Sequence, residues 1–214
     1  MVDEDAAAAQ AGAFAGGAGV VCIAGTGANC FGVNARGERA RADGLGPLLG
    51  DRGSGYRVGE AALRAACFAH DSRIAHDSRF AHDGRETSIR VLEACLEHYE
   101  VASVDELVQL VYRADFSKDR VAALFPVVLR CAQENDPIAT RILRNAGEQL
   151  ADSALLVLDA LSLCDVATSG GVLIHDTPLR RAFEDKLRAH WPDVVVQTAL
   201  HDAAIGAALL AKSS

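Results

Sequence analysis

The chain opens on an alanine-rich stretch, residues 6–15, that reads as a helix and stops at Gly16-Gly17. Apolar residues then bunch together. Val20 to Ala24 is a β-type run, a glycine turn follows, and Asn29 to Asn34 repeats the strand signal. Arg36-Gly37 makes a second turn and Glu38 to Ala42 a third strand, so a β-meander is expected. Residues 43–59, "DGLGPLLGDRGSGYRVG", carry neither the strand nor the helix period. Such long glycine-rich segments are usually ordered for binding.

From Glu60 the period becomes helical, first in "EAALRAACFAH" and then in "ETSIRVLEACLEHY" (86–99). The second places Ile89, Leu92, Leu96 and Tyr99 on one predicted face. Ser103 and Glu106 form a capping box, and "DRVAALFPVVLRCAQEN" extends the helical layer, with Pro126 predicting a kink. Asp136 caps a long helix that Pro137 opens, its Leu143, Ala146, Leu150, Val157 and Leu161 forming one stripe. Residues 86–160 are therefore mainly helical. Residues 162–211 then alternate: strand "CDVATSGGV", helix "TPLRRAFEDKLRAHW", strand "DVVVQTA", helix "HDAAIGAALLAK". That βαβα unit predicts an α/β layered domain with a helical insert.

A hexapeptide recurs three times over 68–85, as "FAHDSR", "IAHDSR" and "FAHDGR". Its period of six matches neither 3.6 nor 2, so the histidines do not converge on one helical face. A surface insertion loop is expected there, and no metal site.

Composition narrows the function. A chain of 214 residues, half of them hydrophobic, can bury a sizeable core. No run approaches the roughly 18 apolar residues of a membrane span. The opening "MVDEDAAAAQAG" carries acids where a signal peptide carries bases, so a cytoplasmic location is expected. A net charge of −8 argues against nucleic acid or an anionic membrane as partner. The six cysteines, at 22, 30, 67, 95, 131 and 164, form no CxxC pair and read as reduced core thiols.

Four stretches could carry chemistry. Gly25-Thr26-Gly27 is either a plain hairpin turn or a cradle of backbone amides for an anion. It is not a P-loop, because no GK[ST] follows and the next element is a strand. Gly50-Asp51 is a turn, or a carboxylate offered to ligand hydroxyls. Gly170-Gly171 ends a predicted strand, where α/β sheets bind ligands. Asp5, in the run Asp3-Glu4-Asp5, is a helix cap or a general base.

"IAGTGANC", "GLGPLLGDRGSGY", "ATSGGV" and the closing "AAIGAALLA" together resemble the BadF/BadG/BcrA/BcrD ATPase family, and within it the N-acetylglucosamine kinase-like members. The resemblance implies a ribonuclease-H-like lobe of the actin-like ATPase superfamily, ATP and Mg²⁺ as cofactors, an amino-sugar acceptor, and a homodimer. It assigns Gly25, Thr26 and Gly27 to a phosphate-binding loop and Gly170 and Gly171 to the adenosine turn. Ala28, Asn29, Gly44, Leu45, Gly46 and Asp51 would contact the sugar, and Asp5 would deprotonate the attacking hydroxyl. Phosphoryl transfer rests mainly on positioning and charge neutralisation, which suits these residue types.

The departures bear on the sugar. Leu45 stands where these kinases usually carry Trp, Arg52 where Glu is common, Arg57 where an aromatic is frequent, and Ala28 where Ser is common. No DGGGTKT-like first phosphate loop occurs in the sequence, so the chain is expected to be a C-terminal lobe without its N-terminal partner. Two other readings stay open: a nucleotide- or sugar-binding assembly module, and an iron–sulfur activator ATPase of CoA-ester dehydratases or reductases. The scattered cysteines argue against the second.

Overall fold

Three strands, β1 (Gly19–Ala24), β2 (Ala28–Val33) and β3 (Arg39–Asp43), form the expected antiparallel meander in a computed structural model that describes residues 2–74 and 88–213. Two later strands, β4 (Asp165–Ser169) and β5 (Val195–Thr198), add in parallel beside β1, giving the order β3-β2-β1-β4-β5. The centre of the sheet is thus buried on both faces, which is why β1 is a continuous apolar run. Val20, Cys22 and Ala24 point into the larger core, while Val21 and Ile23 point to the opposite side with Phe31 and Ala167.

Helices α1 (Val2–Ala13) and α10 (Ala203–Ser213) cover that second side. They approach closely because both are built from small residues. A Cβ on Gly206 would collide with the Ala8 carbonyl, and one on Gly12 with the Asp202 carbonyl. The larger core lies under α8 (Pro137–Leu161) and α9 (Pro178–His190), which cross where Gly147 meets the Leu179 carbonyl. Between β3 and α8 lies the helical insert: α2 (Gly46–Leu49), α3 (Gly55–Ile74), α4 (Ile89–Tyr99), α5 (Val104–Val111), α6 (Lys118–Ala122) and α7 (Phe125–Gln133). It is joined to α8 by a shared cap. Ser88 accepts from Val91 N–H and donates to Asp136, which itself accepts from Ala139 N–H at 2.8 Å.

The structure corrects several sequence expectations. Helix α1 starts at Val2, so Asp5 sits inside it and is not its cap; acids in a first turn suit the helix dipole. The segment 43–59 is not wholly aperiodic, because α3 begins at Gly55. Position 59, inside that helix, takes glycine because the Val121 carbonyl of α6 leaves no room for a side chain. The first hexapeptide continues α3 to Ile74 and is no loop; the other two copies lie almost wholly outside the described residues. Ile89 is exposed, and α4 buries Val91, Leu92, Ala94 and Cys95 instead. Pro126 does not kink a helix: it sits in the first turn of α7, where its missing N–H costs nothing.

Gly206→Ala should lower unfolding stability by about 1–3 kcal/mol through overpacking against α1, read by urea denaturation. An unchanged midpoint would contradict the close crossing.

Candidate active site

The Gly25–Gly27 turn joins β1 to β2 and is clasped from below by the start of α3. Gly25 N–H donates to the Gly27 carbonyl at 2.9 Å. The Gly25 and Thr26 carbonyls accept from Gly55 N–H at 2.8 Å and Tyr56 N–H at 3.2 Å. The first amides of α3 are therefore spent on the turn. Neither Thr26 N–H nor Gly27 N–H has an acceptor among the described residues, which leaves two donors for a ligand.

The second glycine pair closes against this turn. Gly170 follows β4 with φ +91°, its α-carbon packed on the Ala24 carbonyl, which also accepts from Val172 N–H at 3.1 Å. Gly25, Thr26 and Gly171 consequently line one cleft of about 370 Å³, with Gly55, Phe125 and Pro126 of the insert opposite. The glycines are not alike. A Cβ on Gly170 would strike the Ala24 carbonyl, and one on Gly27 would come 3.0 Å from an Asp51 oxygen. A Cβ on Gly25 or Gly171 would meet nothing within 4 Å, so the fold itself does not require glycine there.

A second cleft, also about 370 Å³, opens on the α1/α10 side of the sheet. Asp5, Asn29, Ser169, His201 and Asp202 line it. Asn29 Oδ1 accepts from Arg41 Nε at 3.3 Å, and Arg41 Nη2 reaches the Gly44 carbonyl at 2.7 Å. Asp51 is 5% exposed and its Oδ1 accepts from Ala28 N–H at 3.2 Å. Its Oδ2 has no hydrogen-bond partner among the described residues. A larger cavity of about 520 Å³, between α8 and α9, holds none of the residues expected to act.

The residues expected from the sequence thus fall into two groups. Gly25, Thr26 and Gly171 share one cleft and Gly170 buttresses it; Asp5 and Asn29 share the other, with Ala28, Gly27 and Asp51 between them. Gly44 is tied to Asn29 through Arg41, whereas Leu45 is 63% exposed and Gly46 starts α2, so neither walls an enclosed pocket. Arg57 donates to the Gly50 carbonyl at 3.0 Å while paired with Glu60, so it holds the loop from outside. Sequence reasoning missed Arg41, His201, Asp202 and above all Asp43. The Asp43-Gly44 dipeptide was the available signal for the last of these.

Beneath the turn, Cys30 donates to Cys22 at 3.3 Å. That hydrogen bond, burial and the nearby charge of Asp43 hold the Cys30 thiol well above its usual pKa. Burial likewise pushes Cys95 up to about 12. All six cysteines are free, and no group of three or more His, Cys, Asp or Glu among the described residues is arranged to hold a metal. No helix among them is long and apolar enough to cross a membrane.

A mixed sheet in this order, with helices on both faces and clefts at the carboxyl ends of β1 and β4, is the fold of the actin-like sugar kinases. The chain belongs to the BadF/BadG/BcrA/BcrD ATPase family, whose sequence profile matches residues 1–211. It is 32% identical over 218 residues to the N-acetylmuramic acid/N-acetylglucosamine kinase of Clostridium acetobutylicum, covering 100% of this chain and 67% of that protein. It is 31% identical to the N-acetyl-D-glucosamine kinase of Dictyostelium discoideum, over 92% of this chain and 60% of that one. A Chromobacterium violaceum crystal structure solved under the N-acetylglucosamine kinase name superposes with a TM-score of 0.73 at 28% identity, over 96% of this chain and 63% of that one. The chain therefore spans 60–67% of the length of these relatives.

Two adjacent glycines should separate folding from binding. Gly170→Ala should lose roughly 1–3 kcal/mol of stability through backbone strain and collision with Ala24, while Gly171→Ala unfolds like wild type. Thermal denaturation of both variants checks this, and equal losses would contradict it.

Proposed function

We propose that the chain is the nucleotide- and sugar-binding lobe of an ATP-dependent amino-sugar kinase, acting on N-acetylglucosamine or glucosamine. The observation that carries this reading is the pair Gly25 and Gly171: glycines the fold does not need, facing one cleft beside two unspent amides. A nucleotide accounts for all four. Its phosphates would take the Thr26 and Gly27 amides and the Thr26 hydroxyl, and its flat base would lie against Gly171 without a side chain in the way. Bound ATP supplies the phosphoryl group. Among the described residues no group of three or more His, Cys, Asp or Glu is arranged to cage Mg²⁺.

The sugar belongs on the other side of the hairpin. Asn29 lines that cleft, and the spare oxygen of Asp51, held next to it through Ala28 N–H, would pair with a sugar hydroxyl; polar groups left unpaired would penalise a ligand lacking those hydroxyls. Asp5 is exposed to the same cleft as Asn29, where its carboxylate would accept the proton of the attacking hydroxyl. Both names of the curated relatives, for N-acetylglucosamine and for N-acetylmuramic acid, fit a hexosamine site.

The purified chain should bind ADP by calorimetry, and Gly171→Ala should weaken it about tenfold, the scale of one lost close contact. With ATP, Mg²⁺ and N-acetylglucosamine or glucosamine it should release ADP, and Asp5→Asn should cut that rate roughly 10²–10⁴-fold, as loss of a general base does. Failure to bind either nucleotide or amino sugar would refute the reading.

A further inference from the structure

We propose that Asp43 is the positioning residue of the sugar site: its carboxylate holds the backbone from which Asp51 acts. The inference rests on the amino-sugar reading of that site. Asp43 ends β3 with φ +70°, yet its side chain is 1% exposed. Its Oδ1 accepts from Gly44 N–H at 2.9 Å and from Asp51 N–H at 2.5 Å. Its Oδ2 accepts from Arg52 N–H at 2.8 Å and from Ser153 Oγ of α8 at 3.4 Å. The Arg52 guanidinium lies 3.9 Å away.

Successive amides at a left-handed residue form a concave anion nest, and Asp51 has φ +58°. Here the nest is filled by a carboxylate of the same chain, so it is no ligand site. It is a pin. A non-glycine residue in left-handed geometry persists only where its surroundings over-determine it. Asp43 supplies that constraint, locking both ends of the 44–52 loop to each other and to α8. Gly50 fits the same picture, because a Cβ there would collide with Asp43 Oδ1. Asp51, fixed in this way, delivers its Oδ1 to Ala28 N–H and keeps the other oxygen for a ligand. Neither Asp43 nor Asp51 lines the nucleotide cleft or the cleft beside Asn29; Asp51 meets the site through its bond to Ala28 N–H, the residue before Asn29.

The test is a double-mutant cycle on the full 214-residue chain, titrated with N-acetylglucosamine and separately with ADP. Asp43→Asn should weaken the sugar about tenfold or more and leave ADP within about twofold. In the Asp51→Asn background it should cost nothing further, since the two residues act as one unit. An unchanged sugar affinity, equal loss of both ligands, or full additivity with Asp51→Asn overturns the proposal. If the wild-type chain takes up no amino sugar, the reading of the site has failed. Amide hydrogen exchange then decides the pin by itself: Asp43→Asn must speed the Asp51 and Arg52 amides by about tenfold, and unchanged exchange overturns it. Gly50→Ala displaces the same carboxylate without deleting it and serves should Asp43→Asn not fold. It should speed the same amides, and wild-type exchange rates there overturn the proposal.

Discussion

Three hydrogen bonds tie one tight turn to the start of α3 and to Asp51, and hold the functional end of the fold together. The Gly25 and Thr26 carbonyls take the first amides of α3, and Ala28 N–H gives to Asp51. Through them the carboxyl end of β1 and the start of β2 are fixed to the helical insert. The arrangement also settles which backbone groups remain free. A helix N-terminus is a ready anion site, but the start of α3 is consumed in holding the hairpin. The donors left over are those of Thr26 and Gly27 themselves.

That division explains the glycine content of the site. Some glycines answer to packing: Gly59, Gly147, Gly170 and Gly206 each have a backbone carbonyl where a Cβ would go. Gly27 answers to the Asp51 carboxylate. Gly25 and Gly171 answer to nothing in the chain, and they meet at the same cleft. The distinction between a glycine the fold requires and one it merely tolerates is what turns a glycine-rich sequence into a binding hypothesis. It cannot be read from the residue type.

The strands, the long helix and its cap were legible in the sequence because local signals and tertiary packing agree there. Asp136-Pro137 starts α8, and its stripe from Leu143 to Leu161 is buried throughout. The pattern misled where tertiary contacts override it. Gly59 looks like a loop residue, yet the Val121 carbonyl of α6 packs so closely on it that only glycine fits there within a helix. Ile89 matches a helical stripe, but α4 turns its Val91–Cys95 face inward. At the site, spacing could group Gly25, Thr26, Gly170 and Gly171 only by family resemblance. Their meeting depends on the parallel pairing of β1 with β4, residues well over a hundred positions apart. Asp43 was invisible for a related reason: its partners are backbone amides eight and nine residues on, which carry no sequence signature.

Amide chemical-shift mapping of the isotope-labelled chain during an ADP titration addresses the central claim most directly, because it reports on the turn itself. A nucleotide at the turn should give the largest shifts at Thr26, Gly27 and Gly171 and leave the α8/α9 groove around Arg144 and Lys186 silent. Shifts centred on that groove, or none at the three turn amides, would contradict it.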